Sequence, residues 1–207
     1  MHFQLLEEDI AQTTPQCSEK IASRFEIIHG ELHRLKSIVN QFLRLAGPSA
    51  LELEVLNPAS VVNHVCELLR PEAAIRRIEI QTGLGADLPN CRADSVKLTQ
   101  ALVNLVINAM QAVNKDGTIR VGAAIAGDLL AFEVCDSGPG IPAEQLASIF
   151  DPYFTTKNEG HGLGLWIAQQ IATAHHGQIS ARNLPERGAI FTLLIPLNAG
   201  SIASPCG

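Results

Sequence analysis

A chain of 207 residues, 46% hydrophobic and 17% charged, is long enough for one or two domains and has the composition of a globular protein. Its formal charge of -6, with no basic run, excludes a nucleic-acid binder, which needs clustered cations against phosphates. Acids in the opening MHFQLLEEDI exclude a secretory signal, and no apolar run reaches the roughly 18 residues of a membrane span.

In chain order, His2 to Gln12 reads as a helical stretch, broken at Thr13-Thr14-Pro15. From Ser18 to Ala46, the apolar residues Ile21, Phe25, Ile28, Leu32, Leu35, Val39, Phe42 and Ala46 recur at alternating spacings of four and three. That is a heptad seam, which calls for a partner helix. Gly47-Pro48 stops it, so residues 1–47 are expected to form an antiparallel helical hairpin and to pair with a second copy as a four-helix bundle. The second helix runs about 28 residues, roughly 42 Å, against about eleven for the first. The mismatch predicts that the first helix begins upstream of Met1.

After Pro48 the periodicity changes. Leu51 to Leu56 alternates as a strand, and Asn57-Pro58 opens a helix expected from about Ala59 to Leu69. Ile78 to Thr82 reads as a strand, and Asp94 to Val113 as the clearest helix. Asp116-Gly117 reads as a hairpin-type turn into TIRVGAAIA, which Gly127-Asp128 joins to LLAFEVCD as an antiparallel pair. Leu163 to Ala174 is an expected helix, and GQISARN and AIFTLLIP close the sheet. The expected fold over 48–198 is α+β, a two-layer sandwich with helices on one face of a mixed sheet; residues 199–207 read as a disordered tail. Five cysteines (Cys17, Cys66, Cys91, Cys135 and Cys206) form no CxxC pair and read as reduced thiols of a cytoplasmic protein. Cys135, although next to Asp136, reads as inert.

Three short motifs carry chemistry. Asn104 and Asn108 are four apart and share one face of a helix whose surroundings are apolar. Amides there need partners, either neighbouring backbone or a hard cation such as Mg²⁺. Asp136 ends a strand and opens Ser137-Gly138-Pro139-Gly140, so its carboxylate can accept from an exocyclic amine or simply close an Asx-turn. Gly160, Gly162 and Gly164 lead into a helix whose unhindered amides suit phosphate, although flexible loops use the same composition. The intervening segment, with Phe150, Tyr153, Phe154, Thr155, Thr156 and Lys157, could fold over a ligand as a lid. Lys157 could reach a phosphate or remain solvated.

From Leu51 to Pro196 these motifs resemble, in order, the catalytic ATP-binding domain of bacterial sensor histidine kinases, within the gyrase, heat-shock-90, histidine kinase and MutL superfamily. LVNLVINAMQA is similar to that family's N box, DSGPGI to its G1 box, FDPYFTTK to its F box and GHGLGL to its G2 box; GAIFTLLIP is similar to its last strand. The resemblance implies a Bergerat-type fold with an ATP lid, and ATP and Mg²⁺ as cofactors. Asn108 would hold the metal and Asn104 would assist. Asp136 would read the adenine amine, Gly138 and Gly140 would shape its pocket, and Gly162 and Gly164 would cradle phosphates. Ile141, Phe154, Thr155, Thr156, Lys157, Gly160, His161, Leu163 and Leu165 stand in the same boxes and are counted as nucleotide-contacting. Asn104, Asn108 and Lys157 form the expected catalytic set.

Hydrolytic members of the superfamily carry a glutamate general base where this chain has Asn104. An amide does not accept a proton at neutral pH, which favours phosphoryl transfer over hydrolysis. The hairpin resembles the family's dimerisation and histidine-phosphotransfer domain. Its acceptor pattern, a histidine followed by an acid and soon by a proline, is absent: His2, His29 and His33 read as surface histidines, and the acceptor is expected upstream of Met1. The implied partners are a second copy through the hairpin and a response regulator receiver domain, with any membrane attachment through regions outside this chain. Two alternatives stand beside this reading, a hydrolytic ATPase of the same superfamily and a non-catalytic dimerisation or regulatory module.

Overall fold

The computed structural model describes residues 51–155 and 162–197, together with Gly30. The chain divides into two units, Met1–Ala50 and Leu51–Gly207. The expected hairpin with its heptad seam, His2, His29 and His33, the segment from Thr156 to His161, and the tail 199–207 lie outside the described residues.

Strand β1 (Glu54–Leu56) is followed by helix α1 (Pro58–Ile75). The Asn57 side chain caps α1 by accepting from the Ala59 amide at 2.9 Å, and Pro58 stands at a position where no N–H is needed. Val61, Val62, Val65, Cys66, Leu69 and Ala73 make its buried face. The helix outruns its expected end at Leu69 because Pro71 does not stop it. The carbonyl that Pro71 leaves without a donor is that of Glu67, and both residues lie on the exposed face, where water can serve it.

The expected strand Leu51–Leu56 shrinks to three residues. The Glu52 amide donates to the Asp94 carboxylate at 3.1 Å instead of to a neighbouring strand. What remains pairs antiparallel with β3 (Cys91–Ala93), Leu56 opposite Cys91. Between them in sequence, but in the other sheet, comes β2 (Ile78–Leu84), two residues longer than expected. Helix α2 (Ser95–Val113) is capped by Asp94, whose Oδ1 accepts from the Lys97 amide at 3.0 Å. Leu98, Ala101, Leu102, Leu105, Val106, Ala109 and Met110 bury its inner face.

Strands β4 (Gly117–Ala126), β5 (Leu129–Asp136), β6 (Gln178–Asn183) and β7 (Ala189–Pro196) complete a five-stranded sheet in the order β2-β4-β5-β7-β6. Only β2 and β4 run parallel; the other neighbours are antiparallel. The Gly127-Asp128 hairpin forms as expected, with Gly127 at φ 63. Asp116-Gly117 does not make a hairpin. Because β4 pairs in parallel with β2 across the α2 crossover, that turn joins helix to strand.

Val121, Val134 and Phe191 stand in register, as do Ala123, Phe132 and Leu193, and all are buried in one core with the helices. Helix α1 packs on β2, α2 on β4 and β5, and α3 (Gly164–Ala174) on β6 and β7. Arg120, Cys135, Ile190 and Arg182 stand in one row on the opposite face. The described domain is thus the expected α+β two-layer sandwich on a mixed sheet.

A polar node ties helix ends together beneath the core. His175, the C-cap of α3, is 2% exposed. Its Nε2 accepts from the Asp94 amide at 3.0 Å, and its Nδ1 lies 2.8 Å from the Ile171 carbonyl. The two partners fix the neutral Nδ1–H tautomer.

Candidate functional site

Helix α2 presents Asn104 and Asn108 one turn apart, and Ala112 follows at the same spacing. Residues i, i+4 and i+8 form one stripe, roughly 12 Å long at 1.5 Å per residue. The two glycine turns meet this stripe at opposite ends.

At the Asn104 end lies the start of α3. A Cβ on Gly164 would sit 3.9 Å from the Asn104 Cβ, Cγ and Oδ1, in ordinary contact with that side chain, so the glycine faces the asparagine directly. No side chain caps α3, and no acid occupies its first turn. Its leading amides therefore face outward as donors, the arrangement that suits an anion. Gly162 is forced: at φ +65, a Cβ there would lie 2.4 Å from the Tyr153 carbonyl carbon and 2.6 Å from the Phe154 oxygen. The chain before and after the expected lid is thereby pressed together. The Asn104 Nδ2 is buried without a hydrogen-bond partner among the described residues. A shielded amide donor of this kind costs about 1–3 kcal/mol unless a ligand or water accepts from it.

At the Ala112 end lies the Asp136 turn. Asp136 is 4% exposed, at the end of β5, and its Oδ1 accepts from the Gly138 amide at 2.8 Å. The Asx-turn that the sequence allows does form. A Cβ on Gly138 would lie 2.7 Å from the Asp136 Oδ1 and 3.2 Å from the Ala112 carbonyl group, so the glycine lets this turn press close to α2 and to its own carboxylate. The Ser137 Oγ accepts from the Thr118 amide at 3.0 Å, and the Thr118 carbonyl accepts from the Ser137 amide at 3.1 Å.

Of the residues singled out from the sequence, Asn104, Asn108, Gly138 and Gly164 border the stripe, and Asp136 is bound to Gly138. Leu163 is buried; Ile141, Phe154 and Leu165 are half-buried against the core. Thr155 is exposed. Thr156, Lys157, Gly160 and His161 lie outside the described residues. The early part of the expected lid is anchored. Ile149 is buried, and Phe150 meets Phe191 edge-on, ring centroids 6.5 Å apart.

Sequence reasoning missed Asn183, Arg187 and Thr118, all of which hold the Asp136 turn. Asn183 and Arg187 bind backbone atoms distant in sequence and Thr118 binds Ser137, and nothing in the string QISARN marks its last residue. Burial pushes the Cys135 thiol up and Glu133 adds to this, outweighing the opposite pull of Arg120 and Arg182. The thiol stays protonated, consistent with an inert role. Among the described residues no group of three or more His, Cys, Asp or Glu could hold a metal. A groove of about 490 Å³ between α1 and α2, lined by Ser60, Val61, His64, Ser95, Val96 and Thr99, shares no residue with the stripe.

Comparison with known proteins decides the family. A profile of histidine kinase-, DNA gyrase B- and HSP90-like ATPases matches residues 93–199, more than half of the chain. The chain belongs to that ATPase family. It is 40% identical over 173 residues to the sensor histidine kinase ZraS of Escherichia coli O157:H7, covering 84% of this chain and 38% of ZraS. The chain thus spans well under half the length of such curated relatives. A histidine kinase ThkA in complex with the response regulator TrrA superposes with a TM-score of 0.76 at 28% identity, over 96% of this chain and 57% of that one. Full-length ShkA in complex with AMPPNP superposes with a TM-score of 0.75 at 29% identity, over 88% of this chain and 39% of that one. The described domain is a histidine kinase ATPase domain, homologous to those of sensor histidine kinases. Among the described residues no helix is long and apolar enough to cross a membrane.

Proposed function

We propose that this chain is the ATP-binding kinase portion of a two-component sensor histidine kinase. It transfers the γ-phosphate of ATP to a histidine of the dimerisation domain, from which the group passes to a response regulator. The observation that carries this reading is the Asn104–Asn108–Ala112 stripe with a glycine turn at each end. Asp136 and the Gly138 turn suit the base; the uncapped start of α3 suits the phosphates. The ShkA complex with AMPPNP and the ThkA complex with TrrA support the nucleotide and the partner class.

The donor set fits a divalent ion held mainly by the nucleotide. Mg²⁺ takes one or two protein oxygens with phosphates and waters completing its shell, and Asn108 would supply one. When bound, the ion neutralises charge on the transferring phosphoryl group. Asn104 offers an orphaned N–H, a donor for a phosphate oxygen or a water, and it has no basicity with which to activate water. Transfer to a protein side chain is favoured over hydrolysis.

The acceptor histidine lies outside the described domain: His175 is buried, and neither His64 nor His176 stands before an acid. We place the domain in the cytoplasm, with residues 1–47 pairing two copies and any membrane attachment made elsewhere. Incubation with radiolabelled ATP and a separately supplied dimerisation domain tests the assignment. Acid-labile label is expected on the supplied domain, with little phosphate released to water. Rapid hydrolysis without labelling would favour the hydrolytic alternative. Acid-labile label on this chain itself would move the acceptor to His2, His29 or His33.

A further inference from the structure

We propose that Asn183, at the end of β6, is a positioning residue that sets the base specificity of the Asp136 turn. This rests on the nucleotide reading above and adds a part to it. The Asn183 Oδ1 accepts from the Ile141 amide at 2.7 Å, while its Nδ2 donates to the Ile141 carbonyl at 2.7 Å. One side chain thus holds both polar groups of a single backbone residue, as a neighbouring strand would, although it comes from 42 positions away.

Gly140 makes room for it. That residue sits at φ +84, and a Cβ on it would lie 2.9 Å from the Asn183 Oδ1. The glycine therefore serves two ends: it permits the turn, and it leaves the space into which the Asn183 amide reaches. The turn that follows Asn183 completes the hold. The Arg187 Nε donates to the Gly138 carbonyl at 3.2 Å. Gly188, at φ +97, lies flush on the backbone of Asp136.

Asp136 accepts from the Gly138 amide, so the direction of its carboxylate depends on where the turn lies. Thr118 pins one side of that turn and Asn183 the other. Loss of Asn183 frees the Gly140–Ile141 side without touching α2 or α3. A hold of this kind acts on the end of the site that reads the base and leaves the phosphate end alone.

The test is isothermal titration of the full chain with ATP and with GTP, each with Mg²⁺, for wild type, Asn183→Ala and Asn183→Asp. Thermal denaturation is run alongside. One misaimed hydrogen bond between the Asp136 carboxylate and the base corresponds to a loss of about tenfold in affinity. Asn183→Ala is expected to weaken ATP by about that factor, to leave GTP nearly unchanged and to lower Tm by only a few degrees. Asn183→Asp keeps the acceptor for the Ile141 amide and recovers part of the preference for ATP. Amide exchange at Ile141 is expected to speed up in Asn183→Ala even without nucleotide. The proposal is overturned if ATP affinity and the ATP-to-GTP ratio survive the alanine substitution, or if both nucleotides weaken in parallel. If wild type binds no ATP while Ile141 exchange still responds, the nucleotide reading has failed and the specificity role falls with it, leaving a structural clamp.

Discussion

His175 shows how one side chain can make the domain sensitive to pH. Burial lowers its imidazole below the ordinary 6.5; the Ile171 carbonyl and Asp94 pull upward, and Lys97 and His176 pull downward. The folded state needs the neutral ring, because Nε2 accepts from the Asp94 amide. Below about pH 6.5 the unfolded chain binds a proton that the folded chain resists. The stability this node supplies is therefore complete above that pH and declines as pH falls beneath it. Denaturation of wild type between about pH 7 and pH 5 should show a steeper loss of Tm than His175→Ala, which starts lower and varies less. Parallel curves would show that the node does not titrate. At this scale the sequence was partly legible. Asn104, Asn108, Asp136 and Gly164 announce themselves by residue type and spacing, but His175 and Asn183 act on backbone groups 81 and 42 positions away, which no local pattern displays.

Among the elements, the start of α3 offers two glycines with opposite expectations. Gly162→Ala forces an alanine to φ +65 and into the Tyr153–Phe154 backbone, so it should destabilise the fold by more than about 1–2 kcal/mol. Gly164 lies at the first helical position with 3.9 Å of clearance. Gly164→Ala should leave Tm unchanged or raise stability by about 0.4–1 kcal/mol. Its methyl group nevertheless faces Asn104, so ATP affinity should fall while the fold holds, and calorimetry with titration on the same samples separates the two effects. A Gly164→Ala chain that bound ATP as wild type does would remove the phosphates from this turn. Sustained periodicity made α2 and the β4–β5 hairpin readable from the sequence. Strand β3 is three residues long, too short to display an alternation. The first helix ran past its expected end at Leu69, through Pro71, because a proline on an exposed helix face orphans only a carbonyl that water can reach.

For the whole molecule, the layered α+β class followed from the order of helical and alternating segments, whereas the parallel β2–β4 pairing did not. Antiparallel neighbours reveal themselves through short turns; a parallel pair separated by a helix leaves no local mark. The central claim is that an adenine nucleotide lies along the asparagine stripe between the Asp136 turn and the start of α3. Titration of the full chain with ATP and Mg²⁺, in wild type and Asn108→Ala, tests it most directly. Saturable binding at one site, weakened at least about tenfold in the variant with Tm retained, is the predicted result. Equal affinity in the two proteins, or no binding by wild type, would contradict it.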